Sequence, residues 1–252
     1  MSNSPLASCI KISPNRTSPR NHKIDTITIH CAVGQFTAKE LLNLKHFVKY
    51  NAKSGASCNY AVGRDGSIGM GVEEKDRSWC SSNRENDHRA ITIEVASDTK
   101  PPYTVTDTAY DALIDLLVDI CERNGIKELK WKADKSLVGQ PQKQNMTVHR
   151  WFANKDCPGD YLYKRHGQIA KEVNVRLNPN QATKKKNYRV RVDITDLNIR
   201  KGPGTNYSKI GKFTGKGVFT ICEECDGKGS KKGWGRLKSG LGWISLDYVT
   251  KI

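Results

Sequence analysis

MTVHRWFANKDCP, residues 146–158, brings two metal-binding residue types, His149 and Cys157, into one short segment. Far upstream, the apolar run IDTITIH, residues 24–30, reads as a strand and ends in His30. Three protein ligands with water in the fourth position are typical of catalytic rather than structural zinc. A histidine at a strand end is more often an ordinary hydrogen-bonded group, so the spacing alone leaves both interpretations open.

A lysine and a proline complete a longer pattern, H…HxxxxxKxCP, formed by His30, His149, Lys155, Cys157 and the proline that follows. On this pattern the chain from about residue 25 to 175 resembles the zinc-dependent N-acetylmuramoyl-L-alanine amidases. That family includes bacteriophage endolysins, bacterial autolysins and animal peptidoglycan recognition proteins. The resemblance implies a Zn²⁺ cofactor held by the two histidines and the cysteine. It also implies hydrolysis, by zinc-activated water, of the amide between N-acetylmuramic acid and the L-alanine of the stem peptide.

Two further segments carry the resemblance. NYAVGRDGSIGMGV, residues 59–72, resembles the family's hairpin, and HRAITIEV, residues 88–95, resembles a strand that carries a glutamate into the active site. The resemblance implies that Glu94 takes the proton of the water and delivers it to the leaving amine, and that Lys155 stands near the developing oxyanion. Without it, Glu94 would read as an outward-facing residue of an alternating strand, and Lys155 as a solvated loop lysine.

Three aromatic residues are candidates for substrate binding. Where many relatives carry a tyrosine shortly before the hairpin turn, this chain has Cys58, and Tyr60 lies two residues further on, which predicts the same strand face. We therefore expect Tyr60 to substitute in part for that tyrosine. Trp79 and Trp151 are candidates for the border of a glycan groove, with core packing as the alternative. A free Cys58 near the metal would also permit alternative or inhibitory ligation.

The first two-thirds of the chain predict an α/β fold with a mixed central sheet covered by helices. A capping box at Thr37 predicts a helix to about residue 50, and an apolar stripe predicts one over about 106–123. A third helix is expected after Pro158-Gly159, over about 160–175. Strand-like runs are interleaved with these helices. Residues 1–24 are polar and basic, with too little apolar content to pack alone.

The character of the sequence changes at NPNQATKKKN, residues 178–187, which is typical of a linker. Short alternating runs between Gly, Pro and Asn turns follow and predict an all-β region. Within it, LNIRKGPGTNYSKIG (197–211) and GWISLDYV (242–249) resemble the bacterial Src-homology-3-like wall-binding domains. We therefore predict a zinc amidase catalytic domain over 1–178, a linker over 179–187 and a small all-β barrel that binds cell wall over 188–252.

The net charge of +16 favours polyanionic partners, among which charge alone does not discriminate. The sequence contains no apolar run long enough for a membrane span and begins without the apolar core of a signal peptide. We therefore expect synthesis in a bacterial host cytoplasm, free thiols at the eight cysteines, and action on the wall after release, as phage endolysins do. The expected partners are peptidoglycan and associated anionic wall polymers, and the expected state is a monomer.

Two other classes of function compete with the hydrolase. Some relatives have lost the metal cysteine and only bind peptidoglycan, but Cys157 is present here. A basic nucleic-acid binder would fit the charge and the KKK run at residues 184–186. No recognition-helix or RNA-module motif accompanies that charge, so we expect no nucleic-acid partner.

Overall fold

A six-stranded mixed sheet forms the centre of the first of two units. The computed structural model describes residues 2–178 and 187–252, which divide after Asn178 into two compact units. Except for Asn187, the predicted linker lies outside the described residues. The strands of the first unit are β1 (Cys9–Ile10), β2 (Arg16–Thr17), β3 (Thr26–Cys31), β4 (Tyr60–Val62), β5 (Ile68–Met70), β6 (Arg77–Ser78), β7 (Ala90–Val95) and β8 (Met146–Thr147). Its helices are α1 (Ala38–Leu42), α2 (Lys45–Val48), α3 (Arg84–Arg89), α4 (Asp107–Asn124) and α5 (Gly159–Leu177), with 3-10 turns at Lys135–Leu137 and His149–Trp151.

The order of the sheet is β1-β5-β4-β7-β3-β8, and only β4 and β5 run antiparallel within it. One face packs against α4 and α5, and its buried side chains come from both the strands and the two helices. Each fully buried aliphatic side chain in such a core contributes about 1.5–3 kcal/mol. The opposite face carries a smaller apolar cluster around α1 and α2. This arrangement confirms the predicted mixed α/β class.

Both ends of α4 follow the local sequence signals, whereas the helix predicted from Thr37 departs from them. Thr106 caps the start of α4, and Gly125, in the left-handed region at φ 67°, caps its end. The helix predicted from Thr37 to about residue 50 is instead broken into α1 and α2. At the break, the Asn43 side chain donates to the carbonyl oxygen of Lys39, so the amide competes with the continuing helix.

The amino-terminal segment does not pack alone but lies against the sheet of the first unit. β1 pairs with β5, and β2 pairs with β6 in a separate two-stranded ladder. Asn15 is fully buried and donates to the carbonyl oxygens of His46 and Lys49. Arg20 is buried as well, and its guanidinium donates to four backbone carbonyl oxygens, those of Glu74, Asp76, His88 and Ala90. Polar side chains that bind buried carbonyl groups therefore replace apolar contacts in this segment.

The second unit is an antiparallel, all-β structure, as the sequence predicts. Its sheet order is β11-β10-β14-β13-β12-β9-β15, where the strands are β9 (Tyr188–Val192), β10 (Asn198–Arg200), β11 (Lys209–Phe213), β12 (Gly217–Cys225), β13 (Trp234–Leu237), β14 (Trp243–Ser245) and β15 (Val249–Lys251). Alternating residues bury a small core that includes Val190, Ile221 and Ile244. Closure into a barrel stays a prediction. In neither described range is there a helix with the length and apolarity needed to cross a membrane.

Candidate metal centre

The parallel pairing of β3 and β7 places two polar side chains side by side. In the register of this pair, His30 lies opposite Glu94, near the carboxyl end of both strands. The apolar neighbours Ile29 and Ile93 point to the core face, so His30 and Glu94 point together to the other face. β8 extends the same parallel arrangement, and the 3-10 turn after it carries His149 to this edge of the sheet.

The three predicted metal ligands converge at this edge. Cys157 Sγ lies 3.3 Å from His30 Nδ1, and the rings of His30 and His149 are 5.1 Å apart between centroids. One ligand atom from each of the three residues lies within 4.8 Å of the others. A tetrahedral zinc ion with ordinary Zn–N and Zn–S bonds separates its N and S ligands by about 3.6 Å, so this spacing fits such an ion.

Burial sets the protonation states of these side chains. His30 is fully buried, and desolvation lowers its pKa to about 3, so its imidazole is neutral as a metal ligand must be. Burial and the charge of Lys155 lower the pKa of His149 in the same direction. A hydrogen bond with the Cys31 thiol and burial raise the pKa of Cys157 well above its usual value. A cation at this position would supply the positive charge that deprotonates that thiol.

Glu94 occupies the position next to the three ligands. Its Oε1 lies 3.9 Å from His30 Nδ1 and accepts a hydrogen bond from the Cys80 thiol at 3.8 Å. Its Oε2 is buried and has no hydrogen-bond partner among the described residues. Desolvation raises the pKa of this carboxyl to about 7. A carboxyl group with a pKa near neutrality is suited to accept and return a proton at physiological pH.

Lys155 is exposed in the loop between His149 and Cys157. The ends of that loop are tied together, because the Arg150 N–H donates to the carbonyl oxygen of Cys157 at 3.0 Å. Lys155 is close enough for its charge to lower the pKa of His149. The ammonium group therefore adds positive potential beside the site, and its role at an oxyanion stays a prediction.

A sequence model of a known family matches more than half of the chain. The family model for N-acetylmuramoyl-L-alanine amidase matches residues 20–160. The chain belongs to this family. Its enzyme class is accordingly that of the N-acetylmuramoyl-L-alanine amidases, whose substrate is peptidoglycan. No curated protein sequence matches the chain.

Several solved structures match the chain at low sequence identity. PlyL is 16% identical and matches with a TM-score of 0.49 over 66% of this chain and 95% of its own. AmpD is 18% identical with a TM-score of 0.44 over 68% and 99%. The endolysin amidase LysCS from Clostridium intestinale is 16% identical with a TM-score of 0.43 over 64% and 95%.

Tyr60 is not positioned to bind substrate, which corrects the sequence prediction. Its side chain is fully buried, and its hydroxyl donates to Glu74 at 2.6 Å and accepts from the Ser4 N–H at 2.8 Å. The register of β4 with β7 pairs Tyr60 with Ile93 rather than with Glu94, so the ring points to the core face. β4 begins only at Tyr60, so the alternation that would put Cys58 on the same face does not extend back to it.

The two tryptophans differ in their surroundings. Trp151 is only 8% exposed and stacks on Trp131 at 5.2 Å with an interplanar angle of 5°. The ring therefore packs mainly within the amidase unit, and its place on the border of a groove stays a prediction. Trp79 is half-buried, and its indole N–H donates to the Thr17 hydroxyl at 3.0 Å. The structure leaves its substrate-binding role as a prediction.

The sequence interpretation missed two residues at this site, Cys80 and Ser82. The Cys80 thiol binds Glu94, and His30, Cys80 and Glu94 form a second group of potential metal ligands. Ser82 Oγ lies 2.9 Å from His149 Nε2. Both residues belong to the loop before α3, where only the helix cap at Asn83 gave a local signal. Cys58 is buried and its pKa is raised well above the usual value, first by desolvation and then by the Glu94 charge, and it belongs to neither ligand group of the described residues.

Proposed function

We propose that this amidase uses Zn²⁺, held by His30, His149 and Cys157, to hydrolyse the amide between N-acetylmuramic acid and the L-alanine of the stem peptide. The observation that carries the proposal is the 3.3 Å approach of Cys157 Sγ to His30 Nδ1, with the carboxylate of Glu94 next to it. Two neutral imidazoles and one thiol suit zinc, and a set of three protein ligands leaves the fourth position for chemistry.

Zinc, when bound, would supply Lewis-acid chemistry that polarises the scissile carbonyl and makes water more acidic. The residues of the chain perform the proton transfers. Glu94, with a pKa of about 7, is partly ionised at neutral pH and accepts the proton of the attacking water. The same carboxyl then returns the proton to the nitrogen of L-alanine as that amine leaves. Lys155, exposed beside the site, offers positive charge to the oxygen of the tetrahedral intermediate.

We further propose a two-domain endolysin of the bacteriophage kind. Residues 1–178 would form the catalytic domain, 179–187 the linker, and 188–252 a Src-homology-3-like domain that binds the cell wall. The segment LNIRKGPGTNYSKIG and the all-β sheet of the second unit support the last assignment. The excess of Lys and Arg after residue 183 favours retention on anionic wall polymers. Such a lysin would be made in the host cytoplasm and act on the wall, as a monomer, after release.

The test is the identity of the bond that the full-length protein cuts. Purified Gram-positive peptidoglycan would be digested with and without a zinc chelator, and new amino-terminal alanine and new reducing sugar ends would both be measured. The proposal predicts chelator-sensitive release of alanine without reducing ends. Reducing ends alone would indicate a glycosidase, and the absence of both products would indicate a peptidoglycan-binding protein without catalysis.

A further inference from the structure

The loop between β6 and α3 places a hydroxyl group on one of the candidate metal ligands. Ser82 Oγ and His149 Nε2 are 2.9 Å apart, within hydrogen-bond distance. Ser82 adopts a φ of 60°, the left-handed region that residues with a Cβ atom rarely occupy. The chain thus holds this serine in an unfavourable backbone conformation, at the position where its side chain meets the histidine.

A buried carboxylate fixes the loop in this conformation. Asp87, which is 2% exposed, accepts hydrogen bonds from the backbone N–H groups of Cys80 and Ser81. On the other side of Ser82, the Asn83 side chain accepts from the Asn86 N–H and caps α3. The residues on both sides of Ser82 are therefore held by hydrogen bonds, while Ser82 itself is exposed.

A second set of hydrogen bonds ties the same segment to β3, which carries His30, and to β8, which precedes the turn that carries His149. The Asn86 side chain donates to the hydroxyls of Thr28 and Ser81 and accepts from the hydroxyl of Thr147. The hydroxyls of Thr28 and Thr147 also contact each other at 2.7 Å. Thr28 lies two residues before His30, and Thr147 two residues before His149. The start of α3 therefore shares one buried polar network with β3 and β8.

We propose that Ser82 is a positioning residue that accepts a hydrogen bond from His149 Nε2–H and so makes Nδ1 the ligand atom of that ring. A neutral imidazole carries one N–H, so a proton fixed on Nε2 leaves the lone pair of Nδ1 for a metal ion. Hydrogen bonds of this kind orient metal-binding histidines and strengthen their affinity for the ion. The inference rests on the proposed metal site, since it assigns the orientation of one of its ligands.

Two substitutions at Ser82 distinguish the effect of its hydroxyl on metal binding from the effect of its backbone strain. S82A removes the hydroxyl and keeps the Cβ atom, whereas S82G removes both and also relieves the strain at φ 60°. We expect both variants of the full-length protein to bind Zn²⁺ about 10–100-fold more weakly in competition with a chelator. In S82G this weaker zinc binding should occur without any loss of thermal stability in the metal-free form. S54A, at an exposed serine whose hydroxyl has no hydrogen bond among the described residues, is the matched control.

Nitrogen-15 NMR of the zinc-loaded protein shows directly which ring nitrogen of His149 carries the proton and which one binds zinc. The inference predicts that the His149 proton resides on Nε2 and that zinc binds Nδ1. Wild-type zinc affinity in both S82A and S82G, or zinc bound to Nε2, would overturn it. Failure of the metal site itself looks different, because the wild type would then bind no stoichiometric zinc, or C157S would bind it equally well.

Discussion

His30 and Glu94 lie directly opposite each other in the parallel pair β3 and β7, with 3.9 Å between His30 Nδ1 and Glu94 Oε1. The His30 side chain is fully buried and that of Glu94 is 15% exposed, and desolvation acts on them in opposite directions, lowering the pKa of the histidine and raising that of the carboxyl. At neutral pH the histidine is therefore unprotonated, and the carboxyl can both accept and release a proton. Strand register and burial together therefore place a base next to a potential metal ligand.

Replacing Glu94 with Gln should separate catalysis from metal binding. The amide keeps the size of the side chain and cannot accept the proton, so we expect alanine release to fall by about 10²–10⁴-fold. Zinc content and wall binding should remain at wild-type values, because Glu94 is not one of the three proposed ligands. E122Q, at an exposed glutamate on α4, is the control and should retain full activity. Wild-type activity in E94Q would remove Glu94 from the mechanism.

The raised pKa of Glu94 predicts a pH dependence of stability. The native state binds this proton more tightly than the unfolded chain, in which the carboxyl has a pKa near 4.5. The contribution of Glu94 to stability is therefore largest below about pH 4.5 and declines as the pH rises to about 7. In metal-free protein, the unfolding free energy of E94Q relative to the wild type should increase over this window. Denaturant titrations at several pH values measure the difference, and a pH-independent difference would contradict the burial of this carboxyl.

Arg20 should be necessary for the stability of the first unit. Its guanidinium binds four buried carbonyl oxygens, and R20M would leave all four without that donor. We expect a loss of about 3 kcal/mol or more in the free energy of unfolding. R20K keeps the charge but not the fork of donors, so it should restore only part of the loss. K11M, at an exposed lysine of the same segment, should leave stability within about 0.5 kcal/mol of the wild type.

Local signals and strand order account for the parts of the structure that the sequence predicted well. The cap at Thr106 and the glycine at 125 predict both ends of α4 to within one helical turn, because these capping signals act over only a few residues. The resemblance carried by the H…HxxxxxKxCP pattern singled out His30, His149 and Cys157, which the fold brings together from distant parts of the chain.

The features that the sequence did not reveal, or that it placed wrongly, share a physical cause, since they depend on partners that are far apart in sequence or on register. Arg20 is buried because four carbonyl groups more than fifty residues away need its donors, which composition does not reveal. Tyr60 points to the core because β4 pairs it with Ile93, and register is a property of two strands. Ser82 contacts His149 through a loop conformation that has no distinctive residue pattern.

The most direct test of the proposed centre compares metal content with activity in three forms of the full-length protein: wild type, E94Q and C157S. After zinc loading and removal of excess ion, we expect one zinc per chain in the wild type and in E94Q, and much less in C157S. Chelator-sensitive release of amino-terminal alanine should occur in the wild type alone. Equal zinc content in all three forms, or alanine release by C157S at the wild-type rate, would contradict a catalytic zinc ion held by His30, His149 and Cys157.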